Sequence, residues 1–408
     1  MRVVGPPRNL PTSEVDPFSH EVLEEPGGLQ AELRDAGPVV YLTRYRVYGL
    51  ARYEQVRDAA VDWQSFQSGA GVGLANFRTE KPWRTPSLLL ETDPPQHDAP
   101  RAVLSKILGQ LRLHSLREGW FADAEELVDE VLLEREFDAA QRLAAAFPLR
   151  VFPDAVGLPK EGRENLLPYG DHNFNTFGPP NDLVTMGMPG APRFSAWVDA
   201  HCQRPTLAET GFGAQIWAAA DRGDITHRQA PLVVRSLLSA GVDTTVHGLA
   251  AVLYAFATCP EQWQRLRGDP SLVRVAFDEA VRWESPVQTF FRTATCDIEV
   301  AGTVVPRGEK ILMFLGAANR DPRRWTDPDR FDLTRDPSGH VGFGMGLHQC
   351  VGQHIARLEA EALLTALIKR VERIDIAGPM VRHHNNTLRG WDSIPLRVEL
   401  TRKVVSEP

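Results

Sequence analysis

The run His340–Glu359, HVGFGMGLHQCVGQHIARLE, decides how the rest of the chain is read. It sets Cys350 between a series of glycines and an amphipathic pattern, VGQHIARLEAEALLTALIKR, that continues to Arg370. A thiolate binds metal where a thiol does so poorly. At or just before a helix start, unpaired backbone N–H groups and the positive end of the dipole favour S⁻. Gly344, Gly346 and Gly352 let the backbone turn tightly and let a large flat group approach. A structural zinc site needs three further ligands that this run does not offer. One thiolate in a glycine-rich pocket suits an axial ligand to a planar macrocycle better. A buried free cysteine ahead of a helix has the same local signature.

The surrounding 408 residues are 43% hydrophobic and 24% charged, enough to bury a large core and unlike a disordered chain. A net charge of -8 disfavours general nucleic-acid binding, which needs a basic face. The four cysteines, Cys202, Cys259, Cys296 and Cys350, form no C-x-x-C pair, so neither a zinc ribbon nor a disulfide scaffold is indicated. A reducing cytoplasm is the compartment this usage fits. The first residues lack the apolar core of a secretory signal, and residues 1–26 read as an irregular arm.

Beyond the arm, PVVYLTRYRVYGLARYEQVRD reads as strand, turn, strand and then a helix from about Tyr53. Gln64–Pro95 has no helical period. Its GAGVG is not a phosphate loop, because no strand precedes it and no Lys-Ser/Thr follows. DPPQHDAPRAVLSKIL restarts helix at a proline-rich entry, and helical patterns then run to about Cys259, broken by a loop at FNTFGPPNDLVTMGMPGAP, and continue from Pro260 to Trp283. Short strands with turns at Gly302 and Gly308 follow, and a last set of strands closes the chain. One apolar helix, APLVVRSLLSAGVDTTVHGLAAVLYAFA, crosses the middle. Arg235, Asp243 and His247 interrupt it, so it falls short of a membrane span and reads as a buried core helix. The expected architecture is a single domain over 1–408, mainly α with small β-sheets.

The spacing F-G-x-G-x-H-x-C-x-G, filled by Phe343, Gly344, Gly346, His348, Cys350 and Gly352, resembles the haem-binding loop of the cytochromes P-450. Further segments along nearly the whole chain are similar to that family. The resemblance implies the family fold, with haem b held between the long central helix and the cysteine loop and Cys350 as axial iron ligand. It implies that Glu279 and Arg282, an E-x-x-R pair on one helix face, form a structural ion pair. His97 and Arg101 match the family's H-x-x-x-R, and with Arg292 and His348 they are the cations expected near the haem propionates.

AGVDTT, Ala240–Thr245, is similar to the oxygen-activating segment of the family. Cleaving O₂ takes two protons in a pocket closed to bulk water, so Asp243 and Thr244 are expected to relay them. Ala240 or Gly241 would leave room over the iron. A helix threonine can also bond the carbonyl four residues back and open a bend. His247, one turn after Asp243, has no place in the family motif and reads equally as a core histidine.

EKPWR and SPVQTFFRT resemble a bacterial subgroup of the family that oxidises para-substituted benzoic acids such as 4-methoxybenzoate. The resemblance implies a pocket of Leu90, Phe174, Phe177, Val287 and Phe290, with Arg84, Ser87, Arg235 and Ser236 holding the carboxylate. It implies O₂ as co-substrate, and electrons from NAD(P)H delivered by a reductase and a ferredoxin. Rival readings are a monooxygenase for a terpenoid or fatty acid, a peroxygenase driven by H₂O₂, and a haem carrier or sensor without turnover.

Overall fold

Residues 353–370 carry Leu, Ile or Ala on every turn and form the helix Gln353–Arg370, in which Ala360, Leu363 and Leu364 are fully buried. It packs against the helices Gln110–Val131 and Val273–Glu284. The computed structural model describes residues 10–82 and 84–401. The helix Asp243–Thr258 completes this centre and packs on Val273–Glu284. It is buried nearly all round, as an apolar helix in the middle of a single domain must be.

The apolar run that reads as one helix is two, Ala230–Ala240 and Asp243–Thr258, parted at Gly241 and Val242. The cause is local. The Thr244 hydroxyl donates to the Ala240 carbonyl at 2.7 Å, and the Thr245 hydroxyl lies 3.3 Å from that of Gly241. Side-chain donors competing for helix carbonyls bend a helix. The stretch Ala230–Thr258 is long and apolar enough to cross a membrane, but 72% of its most apolar window is buried inside the protein.

Among the described residues helices dominate, and four small sheets lie beside them. The largest has the order Thr12–Ser13, Val40–Leu42, Val47–Leu50, Lys310–Phe314, Thr289–Ala294, Phe66–Gln67. The turns at Gly302 and Gly308 take φ of +83° and +88°, where a side chain is strained. The described part of the arm is not wholly irregular: Thr12–Ser13 pairs with Tyr41–Leu42, and His20–Glu24 is a helix capped by Ser19. The loop expected at FNTFGPPNDLVTMGMPGAP contains the helix Asp182–Gly187, with Asn181 capping it. Glu136–Asp138, inside the expected all-helical stretch, is a strand because it pairs with Pro395–Arg397 near the end of the described chain.

Candidate active site

One cavity lies between the two central helices and the loop that carries Cys350. The loop owes its shape to glycine. Gly344 and Gly346 sit at φ of +65° and +66°, and a Cβ at Gly346 would fall 2.8 Å from the Val61 Cα. The Cys350 N–H donates to the Phe343 carbonyl at 2.8 Å. Cys350 is open to the cavity and lines it, as do Phe343, Gly344, His348 and Gly352. Burial raises the pKa of its thiol, while the N–H groups of Gly352 and Gln353 and the charges of Arg101 and Arg357 pull it down. Burial and the surrounding dipoles and charges thus act on the thiol in opposite directions. A coordinated metal ion deprotonates such a thiol outright.

The cation set is split. His97 is fully buried, neither ring nitrogen has a hydrogen-bond partner, and burial pushes its pKa to about 4. Arg101 lines the cavity, and burial lowers its pKa. Arg292 is buried, donates to the Phe291 carbonyl, and is lowered to about 10 by desolvation. His348 lines the cavity, but its nitrogens are engaged by the Leu89 carbonyl and by Asp93 Oδ1, each at 3.0 Å. It braces the Leu89–Asp93 loop against the cysteine loop. Sequence reasoning missed Lys310, whose Nζ donates to the Gly71 carbonyl at 2.7 Å and whose pKa falls to about 7 through burial and then Arg292. A lone cysteine, a glycine cradle, an orphaned imidazole and buried guanidinium groups fit a haem with two propionates.

Opposite Cys350, the cavity wall is Ala240, Gly241, Thr244, Thr245 and Gly248. Asp243 is buried behind that wall. A Cβ on Gly170 would meet the Asp243 Cβ at 2.9 Å, and Asp243 Oδ1 lies 3.3 Å from His247 Nε2. The acid and the alcohol are therefore neighbours in sequence with only Thr244 facing the cavity.

The far end is polar. Ser87 Oγ and Ser236 Oγ are 3.4 Å apart, joining the loop to the first central helix. Arg84 and Arg235 both line the cavity, but they do not simply face it. Arg84 Nη1 donates to Glu91 Oε2 at 2.8 Å, and the Ser87 N–H donates to the same oxygen at 2.8 Å. Arg235 Nη2 donates to the Thr85 carbonyl at 2.6 Å and lies 3.4 Å from that of Pro86. Among the described residues no carboxylate lies within ion-pair distance of Arg235. Trp83 of the EKPWR motif lies outside the described residues. The rings of Phe174 and Phe177 meet edge-on at 5.7 Å, Phe177 and Phe290 at 6.0 Å, with Leu90 and Val287 beside them. Glu91 and Tyr169 are further site residues that sequence reasoning missed; the one available signal was Glu91 standing four residues after Ser87.

Below the cavity, Glu279 and Arg282 form a fully buried bidentate pair at 2.7 and 2.8 Å. Arg282 also donates to the carbonyls of Asn319, Pro328 and Arg330, and Arg335 joins Glu279 at 3.0 Å. The network ties the helix to the chain that leads into the cysteine loop.

The family model "Cytochrome P450" matches residues 214–377. Over 390 residues the chain is 56% identical to cytochrome p450 CYP199A2 of Rhodopseudomonas palustris, covering 95% of each protein. It is 30% identical over 401 residues to beta-dihydromenaquinone-9 omega-hydroxylase of Mycobacterium tuberculosis, covering 96% of this chain and 79% of that one. Among solved structures, CYP109Q5 from Chondromyces apiculatus matches with a TM-score of 0.78 and 28% identity over 95% of this chain and 98% of that one. These likenesses join the cysteine cradle, the orphaned imidazole and the threonine-lined wall in one conclusion: the chain belongs to the cytochrome P450 family and is a haem-dependent monooxygenase.

Proposed function

We propose that the enzyme oxidises a small aromatic carboxylic acid at its para substituent, with a para-substituted benzoate such as 4-methoxybenzoate as the substrate type. The observation that carries this reading is the Ser87–Ser236 hydroxyl pair at the far end of the cavity, beyond the rings of Phe174, Phe177 and Phe290 and backed by Arg235. A carboxylate leaving water needs charged or multiple hydrogen-bonding partners. An acid held at Ser236 on the first central helix would extend along the cavity toward Thr244 on the second.

The bound haem supplies O₂ binding, its reduction and the insertion of one oxygen atom into substrate. The protein does the rest. Cys350 would hold the iron, and His97, Arg101 and Arg292 would meet the propionates. Ser87 and Ser236 fix the carboxylate, and Phe174, Phe177 and Phe290 wedge the ring so that the para end faces the Thr244 wall. Thr244 Oγ passes protons into the cavity and Asp243 replenishes them. In sum, substrate, O₂, two electrons and two protons give oxidised substrate and water. A methoxy group hydroxylated at its carbon collapses to a phenol and formaldehyde.

The electrons come singly from a ferredoxin and its NAD(P)H-dependent reductase. Beyond Cys350 the first turns of Gln353–Arg370 meet a cleft lined by His114, Arg117, Arg274, His354 and Arg357 around Glu361, a surface suited to an acidic donor. A cytoplasmic setting fits these partners.

Spectral titration tests the substrate reading. 4-Methoxybenzoate should bind far more tightly than 4-methoxybenzamide, and Ser236→Ala should narrow the gap by about tenfold, the loss of one charged hydrogen bond. Equal affinity for acid and amide would overturn it.

A further inference from the structure

We propose that His247 resupplies protons to Asp243, and that His383, clasped by Asp171 and Asp392, brings them in from solvent. The proposal rests on the reading of Asp243 and Thr244 given above. It starts from a buried imidazole that the family motif does not explain. The His247 side chain is 6% exposed, and neither ring nitrogen has a hydrogen-bond partner. Leaving such groups unpaired in the core is costly. The fold nevertheless makes room for the ring: a Cβ on Gly390 would fall 1.9 Å from His247 Nδ1.

Nε2 of this ring lies 3.3 Å from Asp243 Oδ1, and Asp243 Oδ2 is itself unpartnered. The other side of the ring stacks on His383, with centroids 5.0 Å apart and planes at 26°. His383 sits on the strand Val381–His384, where alternation turns it inward and His384 outward to Glu24 and His20. Its Nε2 is 2.8 Å from Asp171 Oδ1 and its Nδ1 2.8 Å from Asp392 Oδ1. Only the doubly protonated ring donates to both carboxylates. Burial opposes that charge, yet the hydrogen bonds to Asp171 and Asp392 raise the pKa to about 10. Asn385 holds Asp171 in place at 2.7 Å.

Exposure falls inward along this series. The side chain of Asp392 is 57% exposed, His383 21%, and His247 and Asp243 6% each. The titratable groups facing His247, among the described residues, are Asp243 on its own helix, His383 on the hairpin, and Asp171 on the helix Leu166–Asn175. When Asp243 yields a proton toward Thr244 it is left as carboxylate. It takes the Nε2 proton of His247 as Nδ1 of the same ring gains one from the His383 side, so no imidazolate forms, and a turn of the ring restores the Nε2–H. Asp392, open to water, restores His383. One proton moves from solvent to the cavity and no group changes oxidation state. The rings of His247 and His383 are stacked, not hydrogen-bonded, so rotation of the His247 ring or a bridging water carries the middle transfer.

The test uses the haem-loaded enzyme with its redox partners and compares His247→Asn, His383→Gln and Asp243→Asn with wild type. His247→Asn should keep wild-type substrate affinity and the wild-type spectrum of the reduced carbon-monoxide complex. Its turnover should fall about tenfold, less than the 10²–10⁴ typical of a direct acid, with a solvent deuterium isotope effect larger than in wild type. A second readout needs no turnover: imidazole ¹⁵N shifts in the diamagnetic reduced carbon-monoxide complex. The pH at which His247 titrates should move in His383→Gln. Wild-type turnover and isotope effect in His247→Asn overturn the relay, as does slow turnover with an unchanged isotope effect, which marks a structural role. An unmoved His247 titration removes His383. If Asp243→Asn is also unimpaired, the underlying assignment of Asp243 fails instead.

Discussion

Arg84 and Glu91 make the anion site testable by charge alone. The Glu91 side chain is 1% exposed and shares its Oε2 between Arg84 and the Ser87 N–H. Arg84→Met leaves that carboxylate buried beside Ser87, whose hydroxyl is half of the proposed substrate clamp. Two carboxylates about 6 Å apart at an effective dielectric near 20 repel by ~3 kcal/mol, roughly a hundredfold in affinity. The acid should therefore bind Arg84→Met about a hundredfold more weakly than wild type at neutral pH. Adding Glu91→Gln should restore acid binding to within about tenfold of wild type, since the repelling charge is gone. Neutral 4-methoxybenzamide should be almost indifferent to all three proteins. The assay is the substrate-induced change in the haem spectrum, titrated with acid and amide. Parallel loss of both ligands, or no recovery on adding Glu91→Gln, would refute the reasoning: Arg84 would then only shape the loop.

Thr244→Ala should still bind substrate and consume NADH, but with more H₂O₂ and less product, read from the ratio of product to NADH; unchanged coupling removes Thr244 from the chemistry. Folding stability carries a second signature. The His383 pKa is raised from 6.5 to about 10 by its two carboxylates, so the stability it contributes is full below about pH 6.5 and is lost as pH climbs through about 10. The melting-temperature gap between wild type and His383→Gln should shrink across that window, and a constant gap would show that His383 is not charged in the fold.

The most legible features were those in which all the information is local. The loop around Cys350 packs six fixed residues into ten positions. Glu279 and Arg282 meet because three residues on a helix return to one face. Glycine turns at Gly302 and Gly308 delimit their strands for the same reason. The unread parts depend on partners far along the chain. Glu136–Asp138 is extended because residues over 250 positions later offer it a ladder. Arg84 lies beside Glu91 and His348 beside Asp93, and no local spacing announces His348 with Asp93 as a pair. The break at Gly241–Val242 was half legible: the threonines announce a competing hydrogen bond but not that it ends one helix and starts another. The histidine pair HH at 383–384 is silent in sequence, because strand alternation sends one toward His247 and Asp171 and the other toward His20 and Glu24, partners far along the chain.

The two serines also bear on how the reaction ends. In the proposed clamp, Ser87 and Ser236 grip the end of the ligand that chemistry leaves untouched, so a phenolic acid formed by demethylation would carry the same handle as its precursor. Discrimination would fall to the other end, where a new hydroxyl replaces the methoxy group before the Thr244 wall. Product and precursor would thus share one anchor, and a phenolic acid should compete with the substrate it came from.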